Sequence, residues 1–554
     1  MKKIASLFLL VFTLALLNAQ IPHLSKNEYG ASQMIVKGKP FLMLGGELYN
    51  SSASNITYLD STLKKLKVAN LNTVFVPISW ELIEPTEGKY NLTSIDAVVQ
   101  TARKHQLKLV ILWLATWKNG TSPYAPIWLM KDTDRFWRVK NKEGKNTQTL
   151  SAFCKATLEA DKKAYQQVMK HLASIDSVQN TVLAMQVENE VGVFAQTRDF
   201  SDIANNKFRE QVPAKLINYL QQHETTLELE IKTAWKENGS KTSGTWAEVF
   251  GKSDFTDLYF MAWYYASYIN EIAETGKKIY ALPTYANCWM PATPSPNPRP
   301  NYTTPGTYPS GGPIIMVFDV WKAAAPAIDI LSPDLYGNDF DLQVGFFHRY
   351  DNPLFIPETK AIAGRASFSY ANYAAICFSP FGIDNQADSM KEEYALLSQM
   401  SALILQYQGS KKIKVFYRSP NDTLLTHEIS LNDHVTVKLH LARPYLRRDE
   451  EAKINVAYGL FIQTNNDEFI VAGKNIYVSA FSTNANKEVW LRDVWEGNFI
   501  NGKWVGNTLH NGDEAGFLWS KKTPVYRIQT NPTISPELPT KAAIFKFNAM
   551  QYNL

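Results

Sequence analysis

The stretch Thr181-Val-Leu-Ala-Met-Gln-Val-Glu-Asn-Glu190 decides how this chain is interpreted. It begins as a short run of apolar, strand-forming residues and ends abruptly in amides and acids. In a barrel of parallel strands, the carboxyl ends of the strands open onto the active site. The stretch therefore predicts a buried strand whose last residues, Asn189 and Glu190, take part in chemistry.

Strand-like runs of the same kind recur between about residues 41 and 380. Eight can be placed, at 41–44, 73–78, 107–114, 182–185, 279–282, 328–331, 353–356 and 373–378. Helical patterning lies between them at 58–68, 94–105, 158–174, 255–275 and 312–324, and a helix at 392–406 closes the ring. This alternation predicts an α/β fold, a (β/α)8 TIM barrel, which we assign to residues 21–408.

The pattern changes beyond about residue 410. Alternating strands are predicted at 413–417, 434–441, 455–462, 476–481 and 489–491, and Asn501-Gly502 is a hairpin signal. We assign residues 409–554 to an all-β, sandwich-like accessory domain. Two stretches, 196–252 and 291–313, exceed ordinary loop lengths, and we expect either functional lids or family-specific decorations there.

The first 20 residues have the features of a secretory signal peptide. Two lysines follow Met1, residues 4–17 form a short apolar run, and Asn18-Ala-Gln20 provides a small-residue exit. We expect this segment to be removed and the mature protein to be periplasmic or extracellular, with no further membrane span; an uncleaved anchor is the alternative.

Composition excludes several other classes of function. The net charge is only +5 and there is no basic stripe, so nucleic acid is not an expected partner. The three cysteines, at positions 154, 288 and 377, have no zinc-ligand spacing and cannot all pair in disulfides. We predict no metal site and no cofactor, and the sequence does not indicate an oligomeric state.

A second carboxylate, Glu358, follows the seventh strand-like run in Phe355-Ile-Pro-Glu-Thr359. Acids at the ends of strands four and seven project into one cavity across a barrel mouth. Hydrolysis of a glycosidic bond needs such a pair, one to protonate the departing oxygen and one to attack or stabilise the anomeric carbon. Asn189 is suited to donate to a sugar hydroxyl, and Tyr336 at the end of strand six to donate to Glu358. A structural ion pair is the alternative for Glu190.

The motif Gln186-Val-Glu-Asn-Glu190 resembles the active-site signature of glycoside hydrolase family 35, β-galactosidases of the A clan of retaining enzymes. Supporting segments are 45–48, 76–90, 308–313, 325–336 and 379–384. The resemblance implies Glu190 as acid/base and Glu358 as nucleophile, with Glu188 left a structural role. The chain departs from the family pattern where Asn180-Thr-Val-Leu183, and not Gly-Gly-Pro, precedes the acid and where Val191 follows it.

Further candidate sugar contacts are aromatic or polar residues near strand ends. A Trp face packs well against the apolar face of a pyranose, and Trp113 and Trp289 are candidates, with Trp80 and Trp117 in the same set. Packing within the core is the alternative for each. Glu47 and Asn50 follow the first strand and are placed to read sugar hydroxyls, or to cap local structure.

Together these observations predict a retaining exo-β-glycosidase acting on oligosaccharides or polysaccharides, with β-galactosidase as the first choice. The expected reaction is release of terminal galactose from plant or dietary oligosaccharides. A β-glucosidase or an α-L-arabinosidase with the same machinery is an alternative, because barrel loops set the sugar. A non-catalytic carbohydrate-binding barrel is the third, although it would not need both acids.

Overall fold

A computed structural model describes residues 21–291, 303–420, 422–424, 426–441, 456–510, 518–519, 524–525, 528–529 and 542–553. It shows a TIM barrel followed by an all-β domain, which confirms the predicted fold class. The predicted signal peptide at 1–20 lies outside the described residues, as does part of the long 291–313 stretch. Within the described part of the chain, no helix is both long and apolar enough to cross a membrane.

Eight parallel strands form the barrel and are numbered here in chain order. They are β1 Met43–Leu44, β2 Thr73–Ser79, β3 Lys108–Lys118, β4 Val182–Asn189, β5 Thr284–Trp289, β6 Ile330–Leu335, β7 Phe355–Thr359 and β8 Cys377–Pro380. From β2 onward each pairs with the next, and β8 pairs with β1. The ring closes between β1 and β2, where Phe75 N–H donates to the Gly46 carbonyl at 2.9 Å. A Cβ on Gly46 would lie 2.6 Å from Leu71, so glycine allows this close path.

Helices occur at every predicted place, although the one predicted at 312–324 is shorter and begins at Phe318, and others fill the connections. They are Ile56–Val68, Trp80–Ile83, Thr93–Lys104, Ile127–Lys131, Lys155–Asp176, Asp202–Arg209, Ala214–Gln222, Leu229–Glu237, Trp246–Phe250, Asp254–Lys277, Phe318–Ala324, Phe340–Phe347, Arg365–Asn372 and Ile383–Tyr407, with 3-10 turns at Ser52–Ser54 and Ile315–Val317. The predicted loop at 196–252 is therefore wrong for most of its length, since it contains four of these helices. Their buried faces, at Leu216, Leu220 and Trp235 for example, pack into the outer core.

One predicted barrel strand is misplaced. The run 279–282 is a turn, and the strand begins at Thr284, after Pro283. Tyr280 and Leu282 are apolar because they pack into the core at the end of helix Asp254–Lys277, where the Tyr280 N–H still donates to the Gly276 carbonyl. The apolar run at 279–282 therefore predicted correctly that these residues are buried, but it predicted wrongly that they form a strand.

The described residues of the C-terminal domain form two larger antiparallel sheets and one two-stranded sheet. The first contains, in spatial order, Ile413–Tyr417, Tyr458–Gln463, Glu468–Lys474, Ala543–Asn553, Lys487–Ile500 and Lys503–His510; the second contains Thr426–Ser430, Val435–His440, Tyr477–Ser482 and Ile528–Gln529. Leu518–Trp519 pairs with Pro524–Val525. The predicted hairpin turn is confirmed, because Asn501 and Gly502 join paired strands with φ of 53° and 75°.

The barrel has an inner and an outer apolar layer. Inside, alternate strand residues such as Phe75, Val110, Leu112 and Phe355 pack with Met34, which belongs to an N-terminal sheet of His23–Lys26, Ser32–Val36 and Lys39–Phe41. Outside, the opposite strand faces pack on the helices. A further hairpin, Arg138–Lys140 with Asn146–Leu150, follows β3. Apolar side chains thus fill the barrel, and the polar residues collect at the carboxyl ends of its strands.

Candidate active site

Strand β4 ends in a backbone that departs from regular pleating. Every residue from Val182 to Asn189 is buried, and Glu188 and Glu190 have positive φ, 64° and 44°. A positive φ is uncommon outside glycine and is found often at functional sites. The Glu190 N–H donates to Asn287 Oδ1 at 3.1 Å, and Asn119 Nδ2 donates to Glu190 Oε2 at 2.5 Å. These contacts hold the Glu190 side chain at the barrel mouth.

Glu358 enters the same mouth from β7. The Tyr336 hydroxyl donates to Glu358 Oε1 at 2.5 Å, which is the contact expected from the sequence. Glu358 is buried, and its Oε2 has no hydrogen-bond partner among the described residues. One oxygen of this carboxylate is thus held in place and the other is available to a ligand.

A third carboxyl group, Asp334, lies beside the two. Single carboxylate oxygens of Glu190, Asp334 and Glu358 all lie within 4.8 Å of one another. Asp334 is paired with Glu358 in the β6–β7 register, and its Oδ2 accepts from Asn287 Nδ2 at 2.7 Å. Sequence reasoning missed Asp334 as a site residue, although its position at a strand end, two residues before Tyr336, is a signal for it. Three such oxygens are also the kind of ligand that a divalent cation takes.

Lys118, at the end of β3, supplies the positive charge of the site and was also missed. Its Nζ donates to Asn189 Oδ1 at 2.9 Å. Burial alone would lower the pKa of Lys118, but the surrounding carboxylates, Glu358 foremost, raise it above its usual value. The ammonium group therefore stays charged. Asn189 Nδ2 has no hydrogen-bond partner in the described part of the chain, which leaves it able to contact a ligand.

The electrostatics keep a proton on Glu190 near neutral pH. Burial, followed by the charge of Glu358, raises the pKa of Glu190 to about 7, while Lys118 opposes the rise. Burial also raises the pKa of Asp334 well above its usual range, with Glu358 and Glu190 adding to the shift. The mouth therefore contains a carboxyl group suited to proton transfer beside one that accepts a hydrogen bond from a tyrosine.

Glu47 and Asn50 follow β1. Glu47 is fully buried, and neither of its carboxylate oxygens has a hydrogen-bond partner among the described residues. Burial and the charge of Glu358 raise the pKa of Glu47 well above the usual carboxyl range. Asn50 is partly exposed, with a buried Oδ1 that is likewise unpartnered among these residues. Unpaired buried polar groups are costly, and their presence at a strand end is typical of a ligand site.

The structure separates the tryptophan candidates. The prediction that Trp113 contacts substrate is wrong, because its ring lies in the outer layer, fully buried, with Nε1 donating to Asp161 at 2.9 Å. Trp80 and Trp117 are also fully buried in that layer. Trp289 is 39% exposed at the end of β5, and its ring stacks on Phe194 with centroids 5.6 Å apart. Phe194, which sequence reasoning missed, adds to this aromatic surface.

Residues 48–255 match a β-galactosidase family. The matching model is that of glycoside hydrolase family 42, described as "Beta-galactosidase", and so it does not confirm the resemblance to family 35. It spans β2 to β4, including Lys118 and Glu190, and ends before Glu358. Residues 390–519 match a family described as "Domain of unknown function (DUF5597)", which includes most of helix Ile383–Tyr407 and much of the C-terminal domain.

Individual relatives give a similar result. A beta-galactosidase from Xanthomonas manihotis is 26% identical over 183 residues, 32% of this chain and 28% of that protein. Human beta-galactosidase-1-like protein 3 is 27% identical over 177 residues, 31% of this chain and 25% of that protein. The chain thus matches about a quarter of the length of these relatives. The solved beta-galactosidase from Rahnella sp. R3 is 16% identical, covering 66% of this chain and 57% of that chain, with a TM-score of 0.43.

Proposed function

We propose that this chain is a retaining exo-β-glycosidase that releases terminal galactose from plant or dietary oligosaccharides. Glu190 acts as proton donor and base, and Glu358 as nucleophile. The observation that carries the proposal is the approach of Glu190 and Glu358 oxygens to within 4.8 Å at the barrel mouth. Retaining glycosidases hold their two carboxyl groups about 5 to 5.5 Å apart and inverting ones about 6.5 to 9.5 Å. The spacing favours the retaining reaction.

The first step forms a bond between Glu358 and the anomeric carbon. As the glycosidic bond breaks, its electron pair goes to the leaving oxygen, which takes the proton of Glu190. The Tyr336 hydroxyl holds one Glu358 oxygen, and so it fixes the direction from which the other attacks. Asn189 and Glu47, whose side chains contain unpartnered buried atoms among the described residues, are suited to bind sugar hydroxyls.

The second step uses the same two acids with reversed proton transfer. Once Glu358 is esterified, its negative charge is gone, and this removes a cause of the raised pKa of Glu190. The pKa of Glu190 then falls, so the carboxylate is ready to take a proton from water while the water attacks the anomeric carbon. The bond to Glu358 breaks, and both acids return to their first state.

The choice of galactose rests on the β-galactosidase match over residues 48–255. The assignment to family 35, as distinct from family 42, rests on the Gln186–Glu190 motif and its supporting segments. A β-glucosidase or an α-L-arabinosidase would use the same acids. Initial rates on a panel of aryl glycosides separate these activities, and a dominant rate on a sugar other than galactose would overturn the choice.

The experiment that tests the mechanism is replacement of Glu358 by glycine. We expect turnover of an aryl β-galactoside to fall on the order of 10⁴-fold or more, as for loss of other covalent nucleophiles. Added azide should enter the vacated space and form the α-galactosyl azide. Glu190→Ala should give the β-galactosyl azide with an activated substrate. Glu237→Gln, at an exposed acid of helix Leu229–Glu237, serves as control.

Three results would contradict the proposal. Full turnover by Glu358→Gly would remove the nucleophile from the mechanism, and an α-anomer as first product in a proton NMR time course would indicate inversion. Binding of galactosides without turnover by the unmodified protein across pH 5 to 8 would favour the carbohydrate-binding alternative.

Export is a separate part of the proposal and rests on the first 20 residues. Expression of the full chain in a Gram-negative host should yield mature protein beginning near Gln20 in the periplasm or the medium. Mass spectrometry of the purified N-terminus measures this directly, and an intact Met1 on cytoplasmic protein would contradict it.

A further inference from the structure

Strands β3 and β4 lose their register just before the site. Trp113 pairs with Val187, whereas the next pair is Lys118 with Asn189. Between these pairs β4 contributes one residue, Glu188, while β3 contributes residues 114–117. The end of β3 therefore leaves the ladder, and some of its backbone N–H groups need other acceptors.

Glu188 supplies those acceptors with its side chain. Its Oε1 accepts from the Thr116 N–H at 3.1 Å and its Oε2 from the Trp117 N–H at 2.7 Å. Strand alternation from Ala184, which lies in the inner layer, would direct Glu188 inward. The positive φ of Glu188 accompanies the change that brings its carboxyl group against the backbone of β3.

Asp161, on helix Lys155–Asp176, holds Glu188 from the outer layer. Its Oδ1 accepts from Trp113 Nε1, and its Oδ2 accepts from the Thr116 hydroxyl at 2.6 Å and from the Tyr268 hydroxyl at 3.4 Å. Both acids are fully buried and are hydrogen-bonded to each other. Burial and the charge of Asp161 raise the pKa of Glu188 well above its usual range.

We propose that Glu188, held by Asp161, is a positioning residue that fixes the end of β3 and thereby places Lys118 and Asn119 in the site. These two residues follow the segment that Glu188 holds. Lys118 donates to Asn189, and Asn119 donates to Glu190. Glu188 is fully buried, and its described hydrogen bonds go to β3 and to Asp161, so its effect on the chemistry is indirect.

A measurable consequence is the pH at which Glu190 loses its proton. Lys118 lowers the pKa of Glu190, and the Asn119 hydrogen bond also favours the charged carboxylate. The remaining titratable groups that act on Glu190 are Glu358 on β7, Asp334 on β6, Glu47 after β1 and Cys288 on β5, and none of them lies on the segment that Glu188 holds. If the end of β3 moves away, the pKa of Glu190 therefore rises, and activity persists to higher pH.

The test compares Glu188→Leu, Glu188→Gln and the wild-type protein by the pH dependence of kcat/KM. Leucine removes both acceptors, and we expect the alkaline limb to move up by about one pH unit, the size of shift that one nearby opposite charge produces. Glutamine keeps one acceptor for β3 and one donor for Asp161, and so it should give a smaller shift in the same direction. Leu172→Ala, a fully buried change on the same helix as Asp161, is the control for lost stability alone.

The pH readout rests on the proposed glycosidase activity, so crystal structures of the variants provide a second readout that does not. We expect the Lys118 Nζ to Asn189 Oδ1 contact to be lost in Glu188→Leu and kept in Leu172→Ala. The inference is overturned if, in both Glu188 variants, the alkaline limb of the kcat/KM profile does not move and Lys118 keeps its contact with Asn189, even if kcat falls. Should the leucine variant not fold, the glutamine variant decides by the same two measurements. A wild-type protein without turnover overturns the proposed function alone.

Discussion

Two groups of buried carboxyl groups lie on opposite sides of the same strand ends, and they differ in how they are satisfied. In the outer pair, Asp161 and Glu188, every carboxylate oxygen accepts a hydrogen bond from β3 or from a tyrosine or tryptophan side chain. In the inner group, both oxygens of Glu47 and one of Glu358 lack partners among the described residues. Hydrogen bonds offset much of the free-energy cost of desolvating the outer pair. The desolvation cost of the inner group is not offset in this way, so it destabilises the folded protein.

The difference separates stability from function. A satisfied buried acid holds surrounding structure in place, and its removal leaves several donors unpaired. An unsatisfied one destabilises the free protein and gains its partners only when a ligand arrives, which is how active sites commonly differ from the rest of a fold. Substitutions in the two groups should therefore have opposite effects on stability.

The largest expected effect is on the outer side. Asp161→Ala leaves the donors of Trp113, Thr116 and Tyr268 without their acceptor in a fully buried place. We expect a loss of roughly 3 kcal/mol in the free energy of unfolding, measured by urea denaturation, because unpaired buried polar groups cost about 1 to 3 kcal/mol each. The milder control is Thr101→Ala, near the end of helix Thr93–Lys104. It loses one hydrogen bond, from the Thr101 hydroxyl to the Ala97 carbonyl. If Asp161→Ala and Thr101→Ala lowered the free energy of unfolding by the same small amount, the outer acids would not have the stabilising role assigned to them.

On the inner side, Glu47→Gln should stabilise the protein at alkaline pH and lower its activity. The pKa of Glu47 in the folded protein lies well above its usual value of 4.5. The stability contributed by the neutral carboxyl group is therefore complete below pH 4.5, and it is lost as the pH rises toward the folded pKa. Glutamine cannot ionise, so the variant should be more stable than wild type at pH 8, and this advantage should shrink as the pH falls toward 4.5.

Urea denaturation at several pH values measures this effect. A wild-type stability that falls more steeply with pH than that of Glu47→Gln supports the account. Parallel curves would mean that Glu47 finds a partner in the folded protein and belongs with the satisfied acids of the outer layer.

The sequence was sufficient for the features that depend on chain-local pattern. Alternating apolar runs and helical segments predicted the barrel, and Asn501-Gly502 predicted a hairpin that the backbone dihedrals confirm. Glu190 and Glu358 were found because an acid that directly follows a buried strand is visible in one dimension. The contact between Tyr336 and Glu358 followed from the same rule applied to neighbouring strands.

What the sequence could not provide depends on which face of a strand a side chain occupies. Strand β3 is apolar on both faces and runs to Lys118, four residues beyond the predicted end at 114, so Trp113 lies within it and faces the helices with Leu109 and Ile111. Lys118 and Asp334 become site residues only because closure of the barrel brings the ends of separate strands together. The helices between 202 and 250 were hidden by a polar composition that resembles a loop.

The smallest expected effect concerns the aromatic surface, where the two tryptophans can be compared directly. Trp289→Ala removes a ring that is 39% exposed and stacks on Phe194 at the mouth. If this ring packs on a sugar, KM for an oligosaccharide should rise about 2- to 10-fold with little change in kcat, since such contacts contribute about 0.5 to 1.5 kcal/mol. Trp113→Phe is the matched change in the outer layer, and it should leave KM unaltered while lowering stability by about 1 kcal/mol through loss of the Asp161 hydrogen bond. Steady-state kinetics with an oligosaccharide and with an aryl galactoside separate the outcomes, because a ring that binds the second sugar affects only the former. An unchanged KM in Trp289→Ala for both substrates would place the Trp289–Phe194 pair outside the path of the substrate.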